Sequence, residues 1–154
     1  MLADFDILPE ESRIWLYGAE DALAQDQKNY ILNVISEVLK GWNAHSHPLT
    51  AGVAILENHF IVIALDESKN GASGCSIDSL QNTIKKIEQD LSVPLMNRLN
   101  VFCEIEGHIV CIPSFKLKSI ANSDTNFYDL TVLKKSDLKT YLKPIYEGWC
   151  AYLV

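Results

Sequence analysis

Gly52-Val-Ala-Ile-Leu-Glu-Asn-His-Phe-Ile-Val-Ile-Ala-Leu65 is the stretch from which the architecture of this chain is read. Two apolar runs, Gly52 to Leu56 and Phe60 to Leu65, flank Glu57-Asn58-His59, whose central asparagine tolerates the backbone of a tight turn. The stretch reads as a β-hairpin with His59 as a turn residue. Its second run is apolar at every position. Alternate side chains point to opposite faces of a sheet, so this strand must be covered on both sides.

Working outward, Arg13 to Gly18 sets Ile14 and Leu16 against Trp15 and Tyr17, a strand whose two faces are again both apolar. From Lys28 to Trp42, Ile31, Val34, Ile35, Val38 and Trp42 recur at helical spacing, with Asp26 the expected N-cap. Downstream of the hairpin, a polar loop leads into a second helical pattern, Ile77, Leu80, Ile84, Ile87 and Leu91, which ends before Pro94. Its polar face carries Lys85, Lys86, Glu88 and Asp90. Val101 to Ile105 and His108 to Ile112 form a second hairpin around Glu106-Gly107, and a short helical turn starts at Pro113-Ser114. Phe127 to Leu133 is expected to be a strand, and Ser136 to Leu142 a short capped helix stopping near Pro144. The pattern predicts a single α+β domain over residues 1–154: a mostly antiparallel sheet with two long amphipathic helices on one face. A ferredoxin-like β-α-β-β-α-β core with C-terminal additions is the candidate topology.

Composition narrows the function. Apolar residues make up 48% and charged residues 21%, the balance of a folded domain. The longest apolar run is far short of the roughly 20 residues of a membrane-spanning helix. The acidic N-terminus lacks the basic start of a secretory signal, so a cytoplasmic protein is expected. A net charge of -7 opposes general nucleic-acid binding. Within residues 1–67, 11 acids face 3 bases; between Pro113 and Lys143, six lysines (116, 118, 134, 135, 139, 143) face 3 acids. These lysines either meet an acidic partner, RNA among the alternatives, or form a solvated face. The apolar tail Trp149-Cys-Ala-Tyr-Leu-Val154 should dock on its own domain or on a second copy, giving a homodimer.

No C-x-x-C pair links Cys75, Cys103, Cys111 and Cys150, which read as free thiols. If Glu106-Gly107 is a two-residue turn, Cys103 faces Val110 and Cys111 faces Phe102. The two thiols then lie on opposite faces and cannot bridge.

Asp66-Glu-Ser-Lys-Asn-Gly-Ala-Ser-Gly-Cys-Ser-Ile-Asp78 leaves a buried strand and enters a helix, a position where a rigid base presents functional groups. With Ser73 or Gly74 as cap, Cys75 falls in the first helical turn, where free N–H groups favour a thiolate. His45 and His47 are the candidate bases. Asp66, Glu67, Ser73, Gly74, Ser76 and Asp78 are the candidate ligand-binding residues. Helix capping by Ser73, Ser76 and Asp78 explains the same string without a ligand. Gly71-Ala-Ser-Gly74 lacks the Gly-Lys-Ser/Thr ending of a phosphate loop, and its acidic neighbours repel phosphate. The His45-x-His47 spacing is not diagnostic of a metal, so neither metal nor cofactor is expected.

Trp42-x-x-His45, the strand ending in Asp66-Glu67, and Ala72-Ser-Gly-Cys-Ser-Ile-Asp78 together resemble a family of small uncharacterised bacterial proteins carrying these motifs, often labelled ABC transporter ATPases. The likeness covers most of the chain and implies no established activity, cofactor or partner. The ATPase label finds no Gly-x-x-x-x-Gly-Lys-Ser/Thr loop here. The reading reached is a binding module for a partner protein or small ligand, using loop 66–78. The alternative is a small thiol-dependent hydrolase or acyl transferase with Cys75 as nucleophile and His45 as base.

Overall fold

A computed structural model describes all residues from Met1 to Val154. The strands are β1 (Arg13–Gly18), β2 (Asn43–Ala44), β3 (His47–Pro48), β4 (Thr50–Leu56), β5 (Phe60–Asp66), β6 (Asn100–Ile105), β7 (His108–Pro113), β8 (Asn126–Tyr128) and β9 (Leu142–Pro144). The α-helices are α1 (Gln25–Lys40), α2 (Gly74–Leu91) and α3 (Leu117–Ile120). Helices and antiparallel sheets make the chain α+β. It divides into two compact units, Met1–Met96 with Leu133–Ser136, and Asn97–Val132 with Asp137–Val154. No helix is long and apolar enough to cross a membrane.

In the first unit, β5 is the centre of an antiparallel sheet ordered β1-β5-β4, and Phe60 to Leu65 are all fully buried. Register assigns the faces. Ile61, Ile63 and Leu65 lie beside Tyr17, Trp15, Ile55, Val53 and Ala51. This face shares one apolar cluster with Ile31, Ile35 and Leu39 of α1 and Leu80, Ile84 and Ile87 of α2. On the opposite face lies Gly52, beside Ala64. A Cβ there would come within 2.6 Å of the Ala3 carbonyl, so the N-terminal segment passes directly over the strand. Both central residues of the β4–β5 turn, Glu57 and Asn58, adopt positive φ, and the Leu56 carbonyl accepts from His59 N–H at 3.0 Å.

His59 departs from the expectation of a simple turn residue. It is buried, and Nδ1–H donates to the Ala19 carbonyl at 2.9 Å, the only sense open to a carbonyl partner. The start of α1 also differs. The cap is Ala24, whose N–H is accepted by Gln27 Oε1 at 2.8 Å, while Asp26 sits in the first turn and favours the helix dipole.

A ferredoxin-like core would set β6 beside β1 in one sheet. Instead β6 pairs with β7 and β8 in a separate sheet ordered β7-β6-β8-β9, and β2-β3 forms a third. The pairs Phe102–Cys111 and Cys103–Val110 match the register read from the Glu106-Gly107 turn. All four cysteines are free. The strand expected from Phe127 to Leu133 stops at Tyr128. There Asp129 Oδ1 accepts from Thr131 N–H at 2.9 Å and from its hydroxyl at 2.5 Å, bending the chain. The helix expected at Ser136 to Leu142 is a 3-10 turn, Lys135–Lys139, followed by β9. The apolar tail packs on its own unit: Cys150, Trp149, Leu153 and Val154 join the cluster of Val101, Cys103 and Phe127.

The expected lysine face is broken up. Lys135 is buried, and its ammonium donates to the carbonyls of Phe5 (2.8 Å), Asp6 (3.1 Å) and Leu8 (2.8 Å), filling all three of its donor positions. Lys134 pairs with Glu11 at 3.2 Å and Lys143 with Asp129 at 3.1 Å. Replacing Lys135 by Met would leave buried carbonyls unpaired and is expected to cost about 3 kcal/mol in urea unfolding. In the second unit, a Cβ on Gly148 would fall 2.1 Å from Phe127 Cζ, inside a fully buried ring. Gly148→Ala is expected to cost roughly 1–3 kcal/mol by the same measurement.

Candidate functional site

The first turn of α2 is built by two serines. Ser73 is the N-cap, its Oγ accepting from Ser76 N–H at 3.2 Å, while Ser76 Oγ accepts from Ser73 N–H at 2.6 Å. Ser76 is buried, and its hydroxyl also donates to the Ser73 carbonyl at 2.8 Å. Both hydroxyls, expected to be ligand contacts, are thus engaged in capping.

Trp42, two residues past the end of α1, ties this turn to the rest of the unit. Its buried indole N–H donates to the Ser76 carbonyl at 2.8 Å, and its ring meets Trp15 edge-on with centroids 5.8 Å apart. From Trp42 the chain enters the β2–β3 hairpin, turning through His45 (φ 50°) and Ser46 (φ 69°). Left-handed backbone at two consecutive non-glycine residues is uncommon, although histidine enters it more readily than most. The turn holds His45 at the surface facing the start of α2.

Between these elements lies a pocket of about 230 Å³ lined by Val38, Gly41, Trp42, Asn43, His45, Ser73, Cys75, Ser76 and Ser79. Cys75 is exposed. It also borders a shallow depression running along α2 past Asp78, Ser79, Asn82, Thr83 and Lys86. Drug-sized ligands occupy cavities of roughly 300–1,000 Å³, so the pocket suits a small polar molecule or one inserted side chain. Gly74 is exposed at the start of α2 and His47 is exposed in β3; neither lines the pocket.

Asp66 and Glu67 lie outside the pocket lining. Asp66 Oδ1 accepts from Ser68 N–H at 3.0 Å, and this bond with the Ser68 side chain holds its carboxyl below the ordinary value. The Glu67 carboxylate lies over Gly71, where a Cβ would come within 2.9 Å of Oε2. Asn70 donates to the Pro48 carbonyl at 3.3 Å, joining the loop to β3. Asn43 and Ser79 were not singled out in the sequence; neither stands in a motif, and only the folding of β2 against α2 makes them neighbours.

No three His, Cys, Asp or Glu side chains come together as a metal-holding set. No family model, curated protein or solved structure matches the chain.

The thiols differ sharply. Cys103 and Cys150 are fully buried, and burial pushes both up, Cys103 to about 12. In the native protein iodoacetamide is expected to label Cys75 first, Cys111 more slowly, and Cys103 and Cys150 only after unfolding, as read by peptide mass spectrometry. Because its folded value is raised, Cys103 contributes stability that is intact below its unfolded value of 9.0 and is lost as pH rises toward about 12. Urea midpoints of Cys103→Ala should show a shallower alkaline decline than those of the parent.

Proposed function

We propose that the chain is a cytoplasmic binding module that recognises a small polar ligand, or one polar side chain of a partner protein, in the pocket between the His45 turn and the start of α2. Loop 66–78 forms its flank. The observation that carries this reading is the convergence of Trp42, Asn43 and His45 with Ser73, Cys75 and Ser79 on one pocket, fixed by the Trp42 to Ser76 hydrogen bond. Preorganisation favours binding, because groups already held in place lose little entropy when a ligand arrives. The lining offers hydroxyl, amide, imidazole and thiol groups suited to hydrogen bonding.

A second reading, a thiol-dependent hydrolase or acyl transferase, is favoured by the exposed Cys75 sharing this pocket with His45. In it the Cys75 sulfur attacks an acyl carbon while His45 takes the thiol proton, the acyl–oxygen or acyl–nitrogen bond breaks as that proton passes to the departing alcohol or amine, and water or an acceptor then releases the acyl group from Cys75.

Protection of Cys75 from iodoacetamide by a bacterial small-molecule extract or a purified partner fraction tests the binding reading. Slower labelling at Cys75 but not at Cys111, lost in His45→Ala, is the expected result; unchanged labelling under both conditions would sink it. Turnover of an activated ester, with an acyl adduct on Cys75 and at least tenfold loss in Cys75→Ser, would instead establish the enzyme.

A further inference from the structure

A sheet edge presents unpaired N–H and C=O groups that template pairing with another chain, and natural sheets blunt their edges with short strands, charge, proline or a covering segment. Three of the four edges of the two larger sheets are blunted here. Along β4 runs the N-terminal segment, with Leu2 bridging Ala51 and Ala3 N–H donating to the Ala51 carbonyl at 2.8 Å. Beside β1 runs the returning segment, with Arg13 bridging Lys134 and Ile14 N–H donating to the Leu133 carbonyl at 3.0 Å. The third edge, β9, is three residues long and contains Lys143 and Pro144.

β7 has none of these devices along its length. It is the terminal strand of its sheet, six residues long, paired with β6 without a bulge, and its single proline is its last residue. His108 and Val110 are exposed. No Lys, Arg, Asp or Glu occurs from His108 to Phe115.

We propose that β7 pairs antiparallel with β7 of a second copy of this chain, joining two four-stranded sheets into one. A neutral strand suits a second copy, because identical strands then meet without like-charge repulsion even though each chain carries a net charge of -7. The register follows from the hairpin. Glu106 and Gly107 both have positive φ, so the flanking Ile105–His108 pair is hydrogen-bonded, as is every second pair beyond it, including Cys103–Val110. The backbone groups of Val110 therefore turn toward β6 and those of Ile109 turn outward. A two-fold axis at Val110 sets Ile109 opposite residue 111 of the second copy. It makes Val110 its own partner in a non-hydrogen-bonded pair, with Cα atoms about 4.5 Å apart. An axis at residue 111 would instead oppose Ile109 to Pro113, which has no N–H to donate. One strand pair is a small interface, so the dimer forms in the micromolar range.

Val110→Cys in a Cys75→Ser background tests the register directly, since about 4.5 Å lies within the Cα range of a disulfide. Mild oxidation with diamide should link this variant into dimers at least tenfold faster than the Cys75→Ser parent, whose Cys111 does not face itself. In analytical ultracentrifugation at about 100 µM, well above a micromolar Kd, the wild type should be dimeric and Val110→Lys monomeric. A monomeric wild type, a Val110→Lys variant that remains dimeric, or equal cross-linking of the two cysteine proteins would each overturn the proposal. Slow labelling of Cys103 serves as the check that each variant is folded.

Discussion

Phe60 to Leu65 must be kept from water on both faces, and the first unit is organised around that constraint. Six consecutive apolar side chains on a strand point alternately up and down, so a single layer cannot shelter them. The odd-numbered residues are covered by α1 and α2. On the even-numbered side the N-terminal segment passes over Gly52, where a side chain would collide with its backbone. Flanking strands inherit the same demand: Ile14 and Leu16 are buried on one face of β1, Trp15 and Tyr17 pack on the other.

The candidate site is a by-product of this covering. Two helices laid on one sheet face bring the C-terminal end of α1 near the N-terminal end of α2, and the chain between α1 and β4 turns there as a two-strand hairpin. Trp42 locks the arrangement by donating a buried hydrogen bond to the Ser76 carbonyl. A buried indole N–H without a partner would cost about 1–3 kcal/mol, so the tryptophan specifies a position as well as filling space. The pocket beside it is therefore built from rigid elements, which a recognition site requires.

Features with a local cause were legible in the residues. Both hairpins, the limits of β1, the start of β5 and the second helix follow from apolar periodicity and turn chemistry that act within a few residues. The face assignment of Cys103 and Cys111 followed from a two-residue turn and the period of a strand. Where a side chain acts at a distance, local reading failed. Lys135 looks like its solvated neighbours, yet it fills a cage of carbonyls 127 to 130 residues earlier in the chain. His59 sits in a turn, yet its ring is buried against Ala19. The strand expected after Phe127 ended early because Asp129 offered its own backbone a competing hydrogen bond.

The sequence by itself determined β1, the two long helices, both hairpins, the double burial of Phe60 to Leu65, the separation of Cys103 from Cys111 and the placing of Ser73 at a helix start. Each depends on side-chain period or on a hydrogen bond spanning a few residues. Tertiary structure alone decided that β6 leaves the first sheet, that His45 and Cys75 border one pocket, that Lys135 is buried, and that β7 is left as an unprotected edge. These depend on which distant segments cover one another. That choice is made by the fit of whole apolar faces, and no short window of residues records it.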